Sequence, residues 1–154
     1  MIEAFWQAYC EALGVSGPVP VVSAFGDGVA MQDELCALVV AGEKRGTATL
    51  AMWYDNQQET LPQAGEVWIF TDGAGVPRGV VETVDVTVKK FCEVDEAFAA
   101  EEGEGDKSLA YWQREHRRFF ADDLARDGLV FSEDMPVVLE RFRLVWVPVP
   151  ADGV

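Results

Sequence analysis

The chain has 154 residues and a mass of 16.9 kDa, enough for one domain with a real core, and 49% hydrophobic residues with five Trp and nine Phe set disorder aside. Acidic side chains outnumber basic ones 27 to 12, so a formal charge of −15 repels polyanions and argues against a broad electrostatic grip on nucleic acid. Cys10, Cys36 and Cys92 form no Cys-x-x-Cys unit, and no stretch approaches the length of a bilayer span, which points to a soluble, cytoplasmic protein without a disulfide or zinc framework.

Ile2, Phe5, Trp6, Tyr9 and Leu13 recur at helical spacing, and Gly14 closes a core-facing helix over residues 2–13. The next residues, Gly17-Pro18-Val19-Pro20, read as extended. A turn at Phe25-Gly26-Asp27-Gly28 then opens a second helix that carries Met31, Leu35, Leu38 and Val39 inward. Gly42 ends it in a left-handed cap. From Thr47 the pattern changes to period two, which places Thr47, Thr49, Ala51 and Trp53 on one face of a strand. Lys44 occupies the connecting turn. It reads either as half of a solvated Lys-Arg pair at a helix C-terminus or as a lysine whose pKa falls on burial until it can accept a proton.

A polar loop over 55–60 and a turn over 61–65 precede a strand from Glu66 to Thr71, and Asp72-Gly73-Ala74-Gly75 reads as a hairpin connection. The run from Arg78 to Phe91 is too long for a flat strand and predicts a bend that closes a small barrel. Its alternation places Glu82 on the face of Val84, Val86 and Val88, aimed inward or at a strand end reaching water. Asp95 caps a short helix that runs out at Glu101-Glu102-Gly103-Glu104-Gly105-Asp106. This acidic loop lacks the ligand spacing of an EF-hand and has no histidine partner, so no metal is assigned to it. Its glycines suit a backbone that turns tightly or closes over something.

Ser108 caps a long helix to about Arg126, which Gly128 stops. Leu109, Trp112, His116 and Phe119 share an apolar stripe, so the only histidine reads as a hydrogen-bonded packing residue rather than a general base. Ser108, Tyr111, Glu115 and Arg118 fall on a neighbouring face, and Arg114, Arg117 and Arg118 form the one dense basic patch of the second half. A last strand over 137–147 has one wet and one buried face, and Pro148 and Pro150 end it. No repeat or linker divides the chain, which reads as a single domain over 1–154.

Two motifs, Gly42-x-Lys44-x-x-Thr47 and the run Phe98-Ala-x-Glu-Glu-Gly-Glu-Gly-Asp-x-Ser-Leu-x-Tyr-Trp112, together resemble the ASCH domain in its longer bacterial form, over about residues 20–147, with the helix at 2–13 appended. The resemblance implies an α+β fold, a small PUA-like β-barrel with flanking helices. It also implies hydrolysis of the acyl amide of N(4)-acetylcytidine by a lysine, a threonine and a glutamate, which match Lys44, Thr47 and Glu102, with Glu101 as the one-residue alternative. A longer family member described as a ribonuclease, and the likeness to PUA domains, keep RNA cleavage and plain RNA or nucleotide binding as alternatives.

In the amidohydrolase reading Thr47 supplies the hydroxyl, Lys44 takes and returns the proton, and Glu102 holds the lysine without any cofactor or metal. Trp53 would stack the pyrimidine and Tyr111 wall it in, with Glu82, Asp106, Ser108 and Arg114 as further ligand contacts. In the ribonuclease reading Lys44 stabilises a phosphorane and Arg114 or Arg118 clamps phosphate. The expected partner is a small nucleoside. RNA is admitted as a second partner, DNA and membrane are not.

Overall fold

The computed structural model describes residues 1–149. Its helices are α1 (Ile2–Leu13), α2 (Val29–Val40), α3 (Ala51–Asn56), α4 (Glu96–Glu102) and α5 (Leu109–Arg126). Its strands are β1 (Val22–Ala24), β2 (Gly46–Leu50), β3 (Val67–Thr71), β4 (Pro77–Lys90) and β5 (Pro136–Trp146). The strands form one mixed sheet in the order β1-β3-β4-β5-β2, in which only the β1–β3 pair is parallel. The sheet curves into a half-barrel flanked by the five helices, the α+β arrangement expected from the sequence. Among the described residues no helix is long and apolar enough to cross a membrane. Pro150, expected to help end the last strand, lies outside the described residues.

Three apolar clusters hold the sheet and its helices together. One joins Leu50, Phe98, Trp112, Phe120, Leu124 and Leu139, and so fastens α4 and α5 to β2 and β5. A second packs Leu35 and Val39 of α2 with Phe25, Phe70, Val81 and Phe142. In the third, Trp6 and Tyr9 of α1, stacked at 4.9 Å, lie against Ile69 and Val80. Each such aromatic withdraws enough apolar surface to contribute about 1.5–3 kcal/mol.

Two sequence expectations fail here, each for a local reason. β2 ends at Leu50 and the chain turns directly into α3, so Trp53 is a helical residue and not a member of the Thr47 strand face. Met52 and Trp53 pack against the Leu50–Trp112 cluster, and that packing overrides an apolar alternation which is no more specific to a strand than to a short buried helix. The second failure concerns β4. Thr83 pairs with Phe142 and Asp85 with Arg141, which leaves Val84 as an extra residue on β4 and shifts the alternation. Thr83 is therefore buried and Val84 is 50% exposed, while Glu82 takes the second of its two expected orientations, reaching solvent in an ion pair with Arg143 at 2.7 Å.

Candidate active site

Lys44 reaches the interior because two chain reversals converge on it. Gly42, at φ 79°, turns the chain back on the end of α2, where the amides of Glu43 and Lys44 both donate to the Leu38 carbonyl. Across from it, Asp95 caps the start of α4 by accepting from the Phe98 amide, and Gly103 closes its end at φ 71°. A Cβ at Gly103 would overlap the Glu43 carbonyl, so only glycine lets the two segments meet. The Arg45 amide then donates to the Glu101 carbonyl at 2.7 Å, which joins them directly.

The Lys44 ammonium, 2% exposed, donates to the Gly46 carbonyl at 2.7 Å, to Glu104 at 2.9 Å and to Glu102 at 3.3 Å. All three of its hydrogens are thereby used. His116, one face of α5, adds a second cation. Its Nδ1 lies 2.9 Å from the Trp112 carbonyl and its Nε2 3.3 Å from the same Glu102 oxygen that Lys44 contacts. Both ring nitrogens face acceptors, an arrangement that favours the imidazolium form, and the ring stacks on Trp112 at 4.2 Å.

Burial alone would strip the proton from Lys44, but Glu102 and Glu104 more than offset it and hold the ammonium above the ordinary lysine value. The expectation of a lysine pKa lowered by burial is thus reversed. Burial likewise opposes the charge on Glu102, yet Lys44 and His116 keep its carboxyl well below the usual range. Burial pushes Glu104 up to about 7, with Lys44 pulling down and the Glu102 charge pushing up again. Glu104 has the shorter contact to Lys44, but Glu102 is flanked by two cations, so the exchangeable proton resides on Glu104. Burial pulls the His116 pKa down, but Glu102, Glu104 and the Trp112 carbonyl together raise it above the ordinary histidine value. The second oxygen of Glu102, Oε1, is buried without a hydrogen-bond partner.

These groups open onto a cavity of about 720 Å³, inside the size range of about 300–1,000 Å³ common for small-molecule sites. Lys44, Thr47, Glu102, Glu104, Tyr111 and His116 line it. Glu102, Glu104 and His116 offer ligand atoms within 4.8 Å of one another, a set that could hold a divalent cation. Lys44 already supplies positive charge between the two carboxylates.

The profile of the ASCH domain family matches residues 21–146. The chain belongs to the ASCH domain family. It is similar in structure to the DUF984 protein EF3133 of Enterococcus faecalis V583, at 36% identity and a TM-score of 0.87 over 94% of this chain and 87% of that one. It is likewise similar to an ASCH domain of Lactobacillus crispatus JV V101, at 35% identity and a TM-score of 0.83 over 92% of each chain. No curated protein matches. Family membership suggests an RNA-related function.

Within this ASCH domain the residues expected at the site are dispersed. Lys44 and Glu102 meet, and Thr47 lines the same cavity. Trp53 also lines it, from α3 rather than from the strand. Glu101 instead pairs on the surface with Arg45 at 3.2 Å, so of the two adjacent glutamates Glu102 is the one that meets Lys44. Asp106 accepts from the Ser108 amide, and Ser108 caps α5 by accepting from the Tyr111 amide, so both shape the turn and neither lines the cavity. Arg114 is exposed, 5.3 Å from the Tyr111 ring, whereas Arg118 lines the cavity and pairs with Glu115. Glu82 is remote from it, at its ion pair with Arg143. Two members were not foreseen. Glu104 was signalled only by its place between Gly103 and Gly105, and the ionic partner of His116 lies on another helix, which periodicity does not reveal.

Proposed function

We propose that this ASCH domain is an amidohydrolase that removes the acyl group from an N(4)-acylated cytidine, with Lys44, Thr47, Glu102 and Glu104 as its reacting set. The observation that carries this reading is the buried Lys44–Glu102–Glu104–His116 cluster at a cavity that Thr47 also lines. Acyl transfer needs a nucleophile, a proton carrier and a stabiliser of the oxyanion, and the cluster offers each.

The Thr47 hydroxyl, or a water it orients, attacks the acyl carbonyl and its proton passes to ionised Glu104. Once protonated, Glu104 is a weaker acceptor, which frees one Lys44 hydrogen for the oxyanion that forms at the same moment. Collapse breaks the bond from carbonyl carbon to N4 as Glu104 returns the proton to the leaving nitrogen, giving cytidine. Where Thr47 is the nucleophile, water then cleaves its acyl ester to the free acid. Lys44 here stabilises charge and is not the base expected from the sequence, while Glu102 keeps it and His116 protonated.

The lining favours a neutral nucleoside over a phosphodiester. Seven acidic side chains face the cavity against two permanent cations, Lys44 and Arg118. The test is incubation with N(4)-acetylcytidine, and separately with a structured RNA, of wild type, Lys44→Ala, Thr47→Ala, Glu102→Gln and Glu104→Gln. Cytidine release is expected from wild type and a loss of about 10²-fold or more from each folded variant. RNA cleavage that depends on Lys44, with no cytidine released, would sink the proposal.

A further inference from the structure

A second cavity, of about 350 Å³, adjoins the first, and Ala24, Phe25, Thr47 and Thr49 line both. Glu140 of β5 lines it as well, although the residue is only 6% exposed. Thr47 and Glu140 are direct partners across the β2–β5 ladder. Their side chains therefore leave the sheet on the same face, with Cβ atoms about 4.5–5.5 Å apart. The Trp68 indole N–H donates to Glu140 Oε2 at 3.0 Å and the Thr83 hydroxyl donates to the same oxygen at 2.8 Å. Two donors fix the carboxyl in place and leave Oε1 for a ligand. No cation neutralises it among the described residues, so burial raises its pKa, an unusual position for a group with no catalytic duty in the cluster around Lys44.

We propose that this cavity is the base subsite, and that Glu140 Oε1 accepts the N4–H of the cytosine while holding the acyl carbonyl beside Thr47. This rests on the amidohydrolase reading for the identity of the ligand. The chemistry of the lining selects the class. Phe25, Tyr54 and Trp68 supply aromatic surface, with the Phe25 and Trp68 rings 5.1 Å apart. Glu59 and Glu66 join Glu140, and no lysine or arginine is among the lining residues, so a phosphate is repelled and an uncharged heterocycle with an N–H donor is favoured. In the acylated substrate and in the product alike, N4 carries a hydrogen for Glu140. Glu140 is thus a specificity residue on the leaving-group side, one strand away from the reacting hydroxyl.

Cytidine, the product, is the probe, because it binds without turnover. Titration into wild type is expected to shift the Trp68 indole N–H resonance, which reports on Glu140 directly. In Glu140→Gln the amide oxygen still receives Trp68 and Thr83, but the NH₂ group meets the ligand donor to donor, and cytidine affinity by calorimetry is expected to fall at least about tenfold. N(4),N(4)-dimethylcytidine, which lacks the hydrogen, is expected to bind wild type at least about tenfold more weakly than cytidine. Equal affinity for the two nucleosides, a silent Trp68 resonance, or no cytidine binding at millimolar concentration overturns the subsite. The wild-type comparisons stand even where Glu140→Gln does not fold. Acetate release with a KM unchanged in Glu140→Gln defeats the subsite and leaves the amidohydrolase intact. Glu140-dependent cytidine binding with no acetate release defeats the chemistry and leaves the subsite.

Discussion

At Lys44 the Gly46 carbonyl and the carboxylates of Glu102 and Glu104 engage all three ammonium hydrogens, so the residue is a fixed charge before any ligand arrives. The group free to exchange a proton near neutrality is Glu104, whose pKa of about 7 exceeds the ordinary carboxylate value. A folded value above the unfolded one means that its contribution to stability is fully present below the unfolded pKa and is lost as pH rises through about 7. His116 adds to the same trend, since its folded pKa is also raised, whereas the share of Glu102 is lost only in strong acid. Thermal melts at about pH 5 and about pH 8.5 are therefore expected to show wild type losing on the order of 2 kcal/mol more than Glu104→Gln across that interval. Identical pH slopes would place the exchangeable proton elsewhere. In the same window, wild-type kcat/KM is expected to rise through about pH 7, as the ionised base accumulates.

The elements matter through where they stop. Gly103 ends α4 in the left-handed region and presses against the Glu43 carbonyl, which aligns the carboxylate-bearing turn with Lys44. Gly128 after α5 has the same φ, 71°, but nothing within 4 Å of an added Cβ, so it serves as an internal control. Gly128→Ala is expected to cost about 1 kcal/mol from backbone strain alone, and Gly103→Ala at least about 2 kcal/mol, with loss of cytidine release, by chemical denaturation and assay. Equal costs would mean that the contact with Glu43 yields without consequence. Such stops were legible in the sequence, because Gly42, Gly103, Asp95 and Ser108 are residues whose local chemistry dictates a turn or a cap. Trp53 and Glu82 were not. Each was assigned by extending a period-two pattern, past the end of β2 in one case and through the Val84 bulge in the other, and alternation carries no mark of where a strand ends or gains a residue.

Over the whole molecule, a charge of −15 makes ionic strength a discriminating variable. The KM for uncharged N(4)-acetylcytidine is expected to change by less than about twofold between about 0.05 and 0.5 M salt, whereas a polyanion held by basic residues would weaken steeply over that range. A steep loss of activity with salt would favour the RNA substrate. The half-barrel and its helices were readable from the sequence in kind, but the strand order was not, because it depends on pairings between distant segments that local pattern does not encode. Glu140 remained invisible for that reason: only the β2–β5 register sets it beside Thr47. That register also governs when the site comes into being. β2 lies at the edge of the sheet and pairs with β5 alone, and β5 ends at Trp146. On the ribosome, Lys44 and Thr47 emerge well ahead of β5 and stay in water without a neighbouring strand until it follows, so a chain cut short before β5 carries the residues of the site without its chemistry.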